Sequence, residues 1–138
     1  TEGLLIITDD VELTHRLTAP KSACIKSYYL ETAVPFTEAE FYVAKTACAQ
    51  GLSLGKTFTC LPAIFERTEA QNIKTKWAFL MHICEGKYHQ VKKMIKVLGN
   101  EVIYLKRISM GGVMLDPQLS AGSCRELTSD EVTALKKI

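Results

Sequence analysis

Four side chains able to hold a polyanion recur along one stretch: His89, Lys92, Lys93 and Lys96, within EGKYHQVKKMIKVLGN at 85–100. Lysine presents a mobile ammonium that neutralises phosphate without demanding one geometry, so the pattern suits contact with a phosphate backbone. At 3.6 residues per turn Tyr88, Val91, Met94, Ile95 and Leu98 share another face. That predicts an amphipathic helix over 85–100, with Gly86 at its start and Gly99 as a left-handed stop. A solvated helix face carries the same charge pattern, so the stripe alone does not establish a ligand.

Other chemistries lack their residues. His15, His82 and His89 stand apart from one another, and no HExxH or Cys/His spacing points to a metal. Leu54-Gly55-Lys56-Thr57 ends like a phosphate loop but lacks the upstream glycine. Asp9 and Asp10, the most conspicuous paired carboxylates, precede a helical stretch and read as caps. Met94, Met110 and Met114 read as core. Cys24, Cys48, Cys60, Cys84 and Cys124 are odd in number and widely spaced, which argues against a disulfide framework. They read as small buried hydrophobes in a reducing compartment such as the cytoplasm.

The elements that must position the basic stretch follow from local signals. With 138 residues, 47% of them hydrophobic, the chain fits one domain with a real core. Its longest apolar runs fall far short of the roughly 20 residues a membrane span needs. Strands are predicted at 4–7, 25–32, 61–68, 76–84 and 101–109, with a polar turn at 71–72 and a short edge strand at 125–127. Gly111-Gly112 reads as the turn of a hairpin or kinked strand pair. Helices are predicted at 11–17, at 38–50 behind the capping-box sequence Thr37 to Glu40, and at the C-terminus behind Thr128 to Glu131. Together these give an α+β class with a mixed, mainly antiparallel sheet flanked by helices. Charge is unevenly spread: residues 74–107 hold eight Lys or Arg against two acids, the remainder nine against thirteen. Such a local positive field on a nearly neutral chain points to nucleic acid.

Taken together, TEGLLIITDD, HRLTAP, KSYY, EGKYHQVKKM, LKRISMGG and AGSCRELTSDE resemble, in order and from Thr1 to the last helix, the catalytic domain of RsuA-type pseudouridine synthases. The resemblance is strongest to those acting on small-subunit ribosomal RNA. It implies isomerisation of a uridine to pseudouridine with no cofactor and no metal. The base must be extruded from folded RNA, which requires a basic cleft. It also implies that 1–138 is part of the catalytic domain, with the start of that domain and an N-terminal RNA-binding domain outside the chain. The family's essential aspartate, in GRLDxDTEGL, is expected three residues before Thr1.

By that resemblance Tyr28, in the KxY motif, is the proton-handling or uracil-stacking group, and Lys92 pairs with the aspartate and keeps it ionised. His89 and Gln90 face RNA or support the site, and Lys26 is counted with the RNA contacts. Lys93 and Lys96 join them by helical position. Arg16 and Arg107 match basic family positions and are expected to touch RNA or hold structure. Val11 departs from the usual glycine. Without an aspartate beside it, Lys92 is expected to turn to solvent, find another acid or anion, or sit in a loosened site. The competing reading is a non-catalytic module that binds ribosomal RNA or assists its assembly; the oligomeric state stays open.

Overall fold

Local caps start three of the four helices found among the described residues. In the computed structural model, which describes residues 1–138 apart from 21, 23, 57 and 72–76, Asp10 accepts a hydrogen bond from the Leu13 amide at the head of α1 (Val11–Thr18). Thr37 and Glu40 close a reciprocal capping box on α2 (Glu38–Gln50), and Thr128 and Glu131 close another on α4 (Ser129–Lys136). Each satisfies amides that a helix start leaves without partners, so a few residues fix the boundary without tertiary help.

The remaining elements are β1 (Glu2–Gly3), β2 (Lys26–Thr32), β3 (Ile64–Thr68), β4 (Ala78–Ile83), α3 (Gln90–Val97), β5 (Val102–Met110) and β6 (Val113–Met114). The strands form one sheet in the order β1-β5-β2-β4-β3, with β6 folded back on β5. Every pairing is antiparallel except β1 on β5. The expected mixed, mainly antiparallel α+β architecture is therefore present. Gly111 and Gly112, at φ 60° and 86°, make the β5–β6 turn that favours positive φ at both central residues.

Alternation along the central strands explains where the core lies. Leu30 of β2, Phe65 of β3, Phe79, Met81 and Ile83 of β4, and Leu105 of β5 gather on one face, covered by Ala44 and Cys48 of α2 and by Val91, Met94 and Ile95 of α3. Phe36, Phe41, Phe65 and Phe79 interlock there, with ring centroids 5.0 to 5.9 Å apart. A second, smaller cluster joins Leu17, Cys24, Met110, Val113 and Leu135, tying α1 and α4 to the hairpin.

Several expectations are corrected. The run at 4–7 is no strand: the Leu4 amide makes one ladder-like bond to the Arg107 carbonyl, then Leu4 and Ile6 turn to the second cluster while Leu5 and Ile7 stay exposed. Residues 125–127 form no strand either, because Arg125 is drawn into ion pairs with Asp116 and Glu131. The predicted turn at 71–72 and the start of the strand at 76 lie partly outside the described residues. Cys84 is half-buried, Cys124 exposed, and Met114 stands 60% exposed on the short β6 instead of in the core.

Candidate active site

Tyr28 and Arg107 are cross-strand partners on β2 and β5, set by a bulge. Ser27 pairs with Ser109 and Tyr28 with Arg107, so Ile108 is the extra residue that shifts the register and re-aims the side chains beyond it. The N-terminal turn of α3 leans over this point. Between them opens a cleft of about 300 Å³ whose wall includes Thr1, Lys26, Tyr28, His89, Lys92 and Arg107. Four lining residues are Lys or Arg, and among the described residues lining it none is Asp or Glu. Ile83, Leu105 and Met110 give it an apolar floor.

Lys26 and Lys92, two of the three lysines lining the cleft, differ completely. Lys92 is exposed on α3, one of the outcomes expected for it. Lys26 is 4% exposed, and its ammonium donates to the carbonyls of Leu17 (3.2 Å) and Cys24 (3.4 Å). A buried cation is tolerated when its donors are used, so Lys26 is a charged strut between the end of α1 and β2 and not a surface RNA contact. Burial raises the neighbouring Cys24 thiol pKa, while Lys26 and Arg107 pull it the other way.

The helix over 85–100 is shorter at its start than the apolar periodicity predicts. It begins at Gln90, and His89 precedes it in the left-handed region at φ 51°. One tertiary and one local contact replace the first turn: the buried Glu85 carboxylate accepts from the distant Leu61 amide, and the Gln90 side chain accepts from the Lys87 amide three residues before it at 3.1 Å. Gln90, 3% exposed, braces this loop from beneath and does not face RNA with its side chain free. Tyr88, placed by periodicity on the apolar face, is 75% exposed and stacks on the His89 ring at 3.8 Å. The Lys93 ammonium lies 5.2 Å from the Tyr88 ring centre, and Lys96 is exposed farther along. These residues form a cationic, aromatic rim beside the cleft, the combination that suits stacking and backbone contact with single-stranded nucleic acid.

Arg16 and Arg107 divide. Arg16 points away from the cleft and donates to the carbonyls of Lys136 and Ile138, pinning α1 to the C-terminal segment. Arg107 donates from Nε to the Leu4 carbonyl at 2.8 Å and also lines the cleft. One constellation escaped sequence reading. Ser27 Oγ lies 2.7 Å from His82 Nδ1, whose Nε2 lies 3.0 Å from Glu66. The three come from adjacent strands, in a register no linear spacing reveals. Ser27 is buried near the start of β2, paired with His82 of β4 and Ser109 of β5, which makes the row a cross-strand polar ladder.

A solved pseudouridylate synthase has this architecture: it superposes with a TM-score of 0.78 at 39% identity, covering 93% of this chain and 52% of that one. The fold is thus that of a pseudouridine synthase. An RNA pseudouridine synthase of Bacillus subtilis is 39% identical over 137 residues, which is 99% of this chain and 55% of that protein. The small-subunit pseudouridine synthase A of Haemophilus influenzae is 41% identical over 138 residues, again 99% of this chain and 55% of the relative. The corresponding Escherichia coli protein is 34% identical over 137 residues, 98% of this chain and 54% of that protein. No protein-family model matches the chain. Over nearly its whole length the chain is thus homologous to RsuA-type pseudouridine synthases, and it spans about half the length of the curated relatives it matches. Among the described residues no helix is long and apolar enough to cross a membrane.

Proposed function

We propose that the protein carrying this chain isomerises a uridine of small-subunit ribosomal RNA to pseudouridine in the cytoplasm, and that 1–138 forms the larger part of its catalytic domain. The observation that carries this reading is the cleft itself: Tyr28, Lys92 and Arg107 converge on a basic hollow with an apolar floor and no carboxylate among its described lining residues, and Thr1 stands in its wall. A carboxylate three residues before Thr1 lies within roughly 10 Å of that wall even on a fully extended chain. It would complete the site and meet the exposed ammonium of Lys92, which would hold it ionised and oriented.

In this mechanism the bond from ribose to N1 breaks, the uracil turns within the cleft, and a bond forms from ribose to C5, whose proton is then lost. Tyr28 lies against the base and handles that proton, while Ile83, Leu105 and Met110 supply the dry floor. Lys93, Lys96 and His89 hold the flanking RNA. No cofactor or metal takes part. An N-terminal RNA-binding domain would add specificity.

The test is tritium release from ribosomal RNA labelled at uridine C5, comparing the 138-residue chain with a version extended upstream through the expected aspartate. Release by the extended protein alone supports the reading. Release by the short chain would mean that an internal carboxylate serves, and RNA binding without release by either would favour a non-catalytic binding module.

A further inference from the structure

β1 is two residues long, lies at the sheet edge and, among the described residues, pairs only with β5, an arrangement with little intrinsic stability. Yet it is pinned from several directions, all from residues 104–107 of β5. The Leu4 amide donates to the Arg107 carbonyl at 2.8 Å, and Arg107 Nε donates to the Leu4 carbonyl at 2.8 Å. Gly3, at φ 111°, approaches β5 so closely that a Cβ there would lie 2.2 Å from the Arg107 oxygen. The Tyr104 hydroxyl donates to the Glu2 carboxylate.

Tyr104 is itself fixed. Its ring stands edge-on to Tyr29, 5.9 Å away, and Tyr29 is 2% exposed. A hollow of about 220 Å³ is lined by Thr1, Glu2, Tyr104 and Lys92 together, so this contact and the cleft lysine share one wall. We infer that Glu2 and Tyr104 form a clamp that sets the position of the chain entering β1, and through it the carboxylate opposite Lys92; both are positioning residues, and the inference rests on the function proposed above. Burial, and then the hydrogen bond and charge of Glu2, push the Tyr104 phenol up to about 12, so across the neutral range it stays protonated and able to donate. A displacement of about 1 Å at a reacting group can cost up to a hundredfold in rate, which makes so weak an edge strand worth bracing.

The experiment uses the full-length protein with C5-tritiated ribosomal RNA and the variants Tyr104→Phe, Glu2→Ala, Glu2→Gln and the Glu2→Ala/Tyr104→Phe double. Tyr104→Phe keeps the ring against Tyr29 and removes only the hydroxyl. It and Glu2→Ala should each lower kcat roughly tenfold, with KM for RNA and the melting temperature unchanged. Glu2→Gln, which retains an acceptor, should recover most of the rate, and the double variant should be no slower than the slower single one. Wild-type kcat in Tyr104→Phe, losses that multiply, or a loss carried by KM would overturn the clamp while leaving the enzyme reading intact. An unaltered full-length protein that releases no tritium would overturn that reading, and the clamp with it.

Discussion

The wall and the rim of the cleft use the same residue type for opposite purposes. In the wall, Lys26 is buried and, among the described residues, its ammonium donates to two backbone carbonyls, so its charge serves the joint between α1 and β2. On the rim, Lys92, Lys93 and Lys96 project from α3 into solvent, where an ammonium costs little to keep and is free to meet a ligand. The difference teaches that charge type is not function: burial and prior hydrogen bonding decide whether a cation is a strut or a contact.

Substitutions can break this contrast. The largest effect is expected at Lys92: in the full-length protein Lys92→Met should reduce tritium release by roughly a hundredfold or more. Its stability should stay within about 0.5 kcal/mol, as for an exposed residue. A variant within a few-fold of wild type would remove Lys92 from the mechanism. Lys26→Met should do the reverse at first order, leaving two carbonyls without their donor and costing about 1–3 kcal/mol in urea unfolding. An unchanged midpoint would show that the strut carries no weight.

Smaller effects sharpen the picture of the rim. Lys93→Gln and Lys96→Gln should leave folding unaltered while each reduces the slope of log binding constant against log salt by about one for ribosomal RNA. A slope that does not move would take them off the RNA path. The smallest effect tests the C-terminal unit to which Arg16 ties α1. The Glu131 carboxyl, bound by Arg125 and the Thr128 amide, is held down from 4.5 to about 2. Its contribution is therefore complete above pH 4.5 and is lost as pH falls from 4.5 towards 2, so α4 should loosen in that window. Amide exchange at α4 that is flat across it would show that the network does not support the helix.

Elements with local punctuation were legible in the chain. The boxes from Thr37 to Glu40 and from Thr128 to Glu131, the Asp10 cap and the Gly111-Gly112 turn appear where they were read. Residues 85–89 carry no such cap, and periodicity alone extended α3 too far. What ended the helix there was Glu85 reaching Leu61 and Gln90 reaching Lys87, which no helical repeat encodes. Arg16 and Arg107 looked alike in sequence, and only the packing of α1 against the C-terminus and of β1 against β5 separated them.

By itself the sequence determined the helices that begin at their own caps, the alternation that places Phe65, Phe79 and Met81 in one core, and the resemblance to RsuA-type pseudouridine synthases. These depend on neighbours a few residues apart or on motifs read in order. The tertiary structure alone decided which cation is a strut, that Tyr104 reaches Glu2 across 102 positions, and that Ser27, His82 and Glu66 form one row. Those outcomes depend on strand register and a bulge, and register is set by the whole sheet's burial, not by any one strand.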